Sequence, residues 1–189
     1  MQRMTMLLLA ERVSEDARVL VLGAGGGLEL KVFAEAHPNW VLDGVDPSAE
    51  MLKLAQRTLG PLASRATLHQ GYIGDAPIGP FDAATCLLTL HFMALEERRH
   101  MATEVRRRLK PGAPLVAAHF SIPESDERAV WLSRFAAYAG IDPAQAAAID
   151  SRLTILSPEQ DEAILREAGF SNLSLFYVGF TFRGWVGYA

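Results

Sequence analysis

At 189 residues the chain is long enough for one domain with a full-sized core, and 50% apolar and 21% charged residues is an ordinary globular composition. A net charge of −4 disfavours a polyanionic partner such as nucleic acid, without forbidding tRNA. The lone Cys86 excludes an internal disulfide framework and points to a reducing, cytoplasmic setting; the apolar patch at residues 6–10 is too short for a membrane anchor and lacks the cleavage site of a signal peptide.

A short amphipathic helix is expected at 3–13 and a first strand at 18–23. The strand breaks on Gly23-Ala24-Gly25-Gly26-Gly27, and a helix follows over 27–37, ended by His37-Pro38. A buried strand that turns on glycines into a helix is a nucleotide-cradling turn, because a Cβ there would hold a ligand away from the backbone. WVLDGV at 40–45 is the second strand, with Asp46 at its end, where a carboxylate can accept both hydroxyls of a ribose. Pro47-Ser48 opens a helix to about 59, with Pro47 in the first turn and Glu50 early.

ATLHQ at 66–70 suits a short third strand, and the turn-rich GDAPIGP leads to a fourth, FDAATCLL, at 81–88. A charged helix over 95–109 stops at Lys110-Pro111-Gly112, and PLVAAHF at 114–120 is the fifth strand. Residues 124–149 read as two alanine-rich helices broken near 140–143. Ser157-Pro158-Glu159 starts another helix and Gly169 stops it. LSLFYVG and TFRGWVGYA are joined by so short a link that they must form an antiparallel hairpin. Alternating strands and helices predict an α/β fold, a Rossmann-like doubly wound sheet that is mostly parallel and closes on that hairpin.

Five blocks, in order, resemble the class I S-adenosylmethionine-dependent methyltransferases: GAGGGLEL, VDPSAEMLKLA, FDAATCLLTLHFM, RRRLKPGAPLV and AILREAGFSNLSLFYVGF. They span nearly the whole chain. The resemblance implies a single domain over 1–189 with a seven-stranded sheet, S-adenosylmethionine as cofactor and S-adenosylhomocysteine as product. It places the methionine part against Leu22, Gly23, Ala24 and Gly25, the ribose on Asp46, and the adenine against Pro47 and Met51. In the family an acidic residue often follows the third-strand glycine and accepts the adenine amino group. Here Gly71 is followed by Tyr72 and Ile73, so adenine would rest on backbone groups there and on stacking, or Asp75 would swing in. Leu87 and Leu88 would form an apolar pocket near the sulfonium.

Within the family the chain is most similar to carboxy-S-adenosylmethionine synthases of tRNA modification, through Thr89-Leu90-His91-Phe92 and the aromatic hairpin. Leu87 stands where those proteins carry asparagine, and Arg152 lies in the region of their cationic group. These departures favour plain S-adenosylmethionine, with the carboxylated cofactor as the alternative. The segment that usually precedes the first helix and caps the site is nearly absent, which implies a homodimer whose neighbour supplies the lid, or a non-catalytic cofactor-binding protein that needs a partner.

His91 follows strand four and His119 ends strand five, at the end of the sheet where ligands bind, and both are candidate general bases; the alternative for each is a packed or solvent-exposed histidine. No spacing of His and Cys suggests a metal site. Arg106-Arg107-Arg108 ends a helix, where cations complement the dipole. Phe120, Trp131 and Tyr138 are candidates to wall an apolar acceptor, and the helical stretch 121–156 is the expected substrate or dimer surface. An NAD-dependent oxidoreductase is disfavoured because Leu28 stands where the dinucleotide fingerprint needs its third glycine. The expectation is methyl transfer to a small-molecule acceptor by in-line displacement.

Overall fold

A computed structural model describes residues 1–142 and 151–189. Seven strands form one sheet in the order β3-β2-β1-β4-β5-β7-β6: β1 (Arg18–Leu22), β2 (Val41–Asp46), β3 (Ala66–Gln70), β4 (Ala83–Leu87), β5 (Pro114–Phe120), β6 (Ser171–Gly179) and β7 (Phe182–Tyr188). The first five are mutually parallel where they pair; β7 runs antiparallel to both β5 and β6. β6 and β7 are joined by Phe180-Thr181 alone, the tight hairpin that the sequence demands.

The helices are α1 (Gln2–Ala10), α2 (Leu28–Ala36), α3 (Ala49–Leu59), α4 (Leu95–Arg108), α5 (Arg128–Ala139) and α6 (Pro158–Glu167). Each strand from β1 to β5 is buried through most of its length except β3, as a sheet covered on both faces requires. One core packs Leu20, Cys86, Met101, Val105 and Ile164 beneath α4 and α6, and the other packs Val21, Leu30, Phe33, Trp40 and Val116 beneath α1 and α2. Alternation along β4 sends Cys86 to the first and Leu87 to the second.

α3 departs from its expected start. Ser48 is the N-cap, and its hydroxyl accepts the Met51 N–H at 3.3 Å, so Pro47 lies before the helix and not in its first turn. α6 opens as expected, with Ser157 and Gln160 capping each other. α5 is the first of the two helices expected in 124–149; the second lies outside the described residues. The arginine run of α4 is tied down: Arg107 and Arg108 both pair with Glu104, and Arg106 donates to the Gly169 carbonyl. No helix among the described residues is long and apolar enough to cross a membrane.

Candidate functional site

β1 and β2 end side by side, and the Val45 carbonyl accepts the N–H of both Gly23 and Ala24, at 2.9 and 3.0 Å. This folds the glycine turn back over β2. Gly25 has φ +49°, and a Cβ there would lie 3.6 Å from Met51 Cε, within the space that Met51 and the turn leave between them. Gly23 has φ +68°, and its missing Cβ makes room for Thr89, whose Oγ1 would otherwise sit 1.9 Å away. The turn after β1 is therefore keyed to the end of β4.

Asp46 ends β2 beside the turn. Its Oδ2 accepts the Gly25 N–H and its Oδ1 the Ser48 N–H, both at 2.9 Å. Two backbone donors fix the carboxylate, and each oxygen keeps a lone pair for a further donor. The Asp46 carbonyl accepts the Gly71 N–H at 3.1 Å, which draws the turn after β3 to the same edge. Asp75 does not swing toward the site; its carboxylate accepts the Tyr72 N–H at 2.9 Å.

After β4 the backbone bends sharply. Leu88 has φ +56°, a conformation that strains a residue with a Cβ, and is held there by its N–H on the Ala118 carbonyl at 2.6 Å. Thr89 donates to the Leu87 carbonyl, and a 3₁₀ turn over Leu90–Phe92 leads into α4.

These elements enclose a cleft of about 830 Å³ at the carboxyl ends of β1, β2 and β4. Leu22, Gly23 and Gly25 line it from the glycine turn, Asp46, Pro47 and Met51 from the end of β2, and Gly71, Tyr72 and Ile73 from the turn after β3. Leu87 and Leu88 complete the expected set. Ala24 is the exception: its side chain is buried and its N–H is spent on Val45. Sequence reasoning missed the wall that follows, with Thr89, Phe92 and Met93 before α4 and Glu97, His100 and Met101 on it. A polar group every third or fourth residue on a charged helix carries no mark that sets it apart from a solvated face.

The two candidate histidines lie elsewhere. His91 and His119 are 4% and 1% exposed and neither lines the cleft. His91 rests against Phe92 and Phe120, and its Nδ1 faces the Phe120 N–H at 3.5 Å. Burial, then the neighbouring His119 and Arg98, push its pKa down to about 4, so the ring is neutral near pH 7. His119 Nε2 lies 3.0 Å from Asp161 Oδ1 without the alignment of a hydrogen bond. Asp161 is instead committed to Arg98, whose Nη1 donates at 2.7 Å while Nη2 donates to the carbonyls of Leu90 and Thr154. The expected acceptor wall is displaced too: Phe120 packs with Phe135 and Phe182 in a separate cluster, and the exposed Tyr138 stacks on Phe180. None of Phe120, Trp131 and Tyr138 lines the cleft.

The residues present suit an adenosine carrying an amino-acid arm: a backbone cradle at the glycine turn, a fixed carboxylate beside it, and apolar walls beyond. The strand order, the antiparallel closing hairpin and this cleft define a class I S-adenosylmethionine-dependent methyltransferase, and the chain belongs to that family. The family described as a methyltransferase domain matches residues 19–112. A carboxy-S-adenosyl-L-methionine synthase of Chromohalobacter salexigens is 26% identical, covering 96% of this chain and 72% of that protein. Among solved structures, an O-methyltransferase family protein from Burkholderia thailandensis superposes with a TM-score of 0.74 at 14% identity over 99% of this chain. Human N-acetylserotonin methyltransferase in complex with S-adenosylmethionine does so with a TM-score of 0.68 at 15% identity over 97%. The chain spans 55% and 51% of the lengths of these two structures.

Proposed function

We propose that this chain transfers the methyl group of S-adenosylmethionine to a small-molecule acceptor by in-line displacement. The observation that carries the reading is the convergence of the glycine turn and the doubly anchored Asp46 on one cleft whose far wall is the apolar Leu87–Leu88 bend. S-adenosylmethionine supplies an electrophilic methyl on a positively charged sulfur. The chain's part is to hold and orient: the Gly23–Gly25 backbone takes the amino-acid arm, Asp46 the ribose hydroxyls, and Met51 and Ile73 the faces of the base. Leu87 and Leu88 keep water from the sulfur. A dry wall there favours loss of the positive charge as the methyl leaves, and positioning supplies the rate.

His91 and His119, buried away from the cleft, are assigned no proton transfer in this reading. Plain S-adenosylmethionine is favoured over a carboxylated form, because the described cleft lining holds the carboxylates of Asp46 and Glu97 and neither lysine nor arginine, and Arg152 is exposed outside it. The lone cysteine, Cys86, is buried and free, which fits a reducing cytoplasm. A homodimer through the Tyr138–Phe180 corner, within the 121–156 stretch and the hairpin, completes the proposal; light scattering tests it.

The first test is calorimetric titration with S-adenosylmethionine and S-adenosylhomocysteine, with NAD as the control. Micromolar binding of the first two and none of NAD is expected. Asp46→Ala, which removes two charge-assisted bonds to ribose, is expected to weaken binding about a hundredfold. An unaltered affinity in that variant overturns the reading.

A further inference from the structure

We propose that Glu97, on α4, is the residue that reads the amino edge of the adenine base. This rests on the cofactor reading above, in which the glycine turn takes one end of the ligand and Asp46 its middle. The base then falls at the remaining end of the cleft, where α4 packs against the 3₁₀ turn Ile73–Asp75 and the apolar side chains of Ile73, Met93 and Met101 line the slot. Apolar walls alone do not fix a base's orientation; its polar edge needs a matching group.

An exocyclic amine donates, so it needs an acceptor. Asp75, whose Oδ2 takes the Tyr72 N–H at 2.9 Å, does not line the cleft, and Thr89 stands against Gly23 at the glycine-turn end. Glu97 lines the cleft at the end where the base falls. Its Oε2 accepts the Ala94 N–H at 2.9 Å in the cap of α4, which anchors the carboxylate, and its Oε1 has no hydrogen-bond partner among the described residues. A carboxylate anchored by one oxygen and free at the other, on the wall of the slot, is a preorganised acceptor for an N–H donor. It equally disfavours a carbonyl in that place, by repulsion of like partial charges.

The test compares S-adenosylhomocysteine with S-inosylhomocysteine, which carries a carbonyl in place of the amine, by calorimetric titration of the wild type and of Glu97→Gln. Glutamine retains an acceptor for the Ala94 N–H, so the cap survives, and a thermal melt checks the fold. The wild type is expected to bind the adenine compound at least about tenfold more tightly than the inosine compound. Glu97→Gln is expected to bring the two affinities within about twofold, because its amide can donate to the carbonyl. An unchanged ratio in Glu97→Gln, with both compounds bound, overturns the assignment of Glu97 alone. Binding of neither compound to the wild type overturns the cofactor reading and this inference with it.

Discussion

Replacing Arg98 with methionine is expected to destabilise the protein by about 3–5 kcal/mol. The guanidinium is 1% exposed and joins four parts of the molecule: it stands on α4, pairs with Asp161 on α6, and donates to the carbonyls of Leu90 before α4 and Thr154 before α6. Methionine matches its length but takes the guanidinium donor from the part-buried Thr154 carbonyl, while the Leu90 carbonyl keeps only the Met93 N–H. It also leaves the Asp161 carboxylate, 1% exposed, without its hydrogen-bonded cation. Breaking one side of a buried pair costs far more than removing both. The double variant Arg98→Met/Asp161→Leu should therefore be clearly more stable than Arg98→Met alone. Urea unfolding of the three proteins checks this; a double variant no more stable than Arg98→Met contradicts it. The bonds to Leu90 and Thr154 lie behind the cleft wall that carries Phe92 and Met93, so Arg98→Met should also weaken cofactor binding in the fraction that remains folded.

The second large effect concerns pH. Glu29, in the first turn of α2, is 7% exposed, and burial raises its carboxyl to about 7 despite the opposing pull of the nearby Thr85 hydroxyl. Between pH 4.5 and about 7 the folded state keeps a proton that the unfolded chain releases, so this group stabilises at low pH and the contribution is lost as pH rises. The size is about 3 kcal/mol. His91 acts in reverse. Lowered from 6.5 to about 4, it refuses a proton that the unfolded chain takes up, so its effect is to reduce stability as pH falls through that window. Over pH 4.5–6.5 the two slopes oppose each other, and the wild type should be nearly flat there in both terms. Glu29→Gln exposes the histidine slope: the variant gains about 3 kcal/mol at pH 8 and loses stability on acidification. His91→Gln exposes the carboxyl slope, giving a protein more stable at pH 5 than at pH 8. Urea unfolding at four pH values from 4.5 to 8 distinguishes these, and parallel curves for all three proteins would contradict both assignments.

Much of this architecture was legible because backbone requirements leave marks in sequence. Gly23, Gly25 and Gly27 all adopt positive φ, and Asp46 ends a strand that pairs directly with β1. The hairpin was forced by its two-residue link. What could not be read was direction. His91 does follow strand four and His119 does stand near the end of strand five, but neither ring lines the cleft: His91 rests on Phe92 and Phe120, and His119 faces Asp161 on α6. Leu88 gave no sign of its strained backbone, since leucine rarely adopts it. The α4 wall was hidden because Glu97 and His100 are no different in type, or in exposure, from Glu96 and Arg99 beside them. Only the packing of α4 against the Ile73–Asp75 turn separates the residues that face a ligand from those that face water.

β1 sits between β2, its near neighbour in the chain, and β4, which pairs with it at Val19↔Ala83 after a long excursion. The cleft straddles that junction. Gly23, Asp46 and Tyr72 stand on the side built by consecutive strands, and Leu88 and Glu97 on the side that must be brought up from afar. Closing long loops is slow, so the β1–β4 seam should shut late in folding. A ligand that grips both banks finds no complete site until the seam has closed. S-adenosylhomocysteine should accordingly slow unfolding in a stopped-flow urea jump while leaving the refolding rate unchanged, so that an occupied molecule persists longer without having formed any faster.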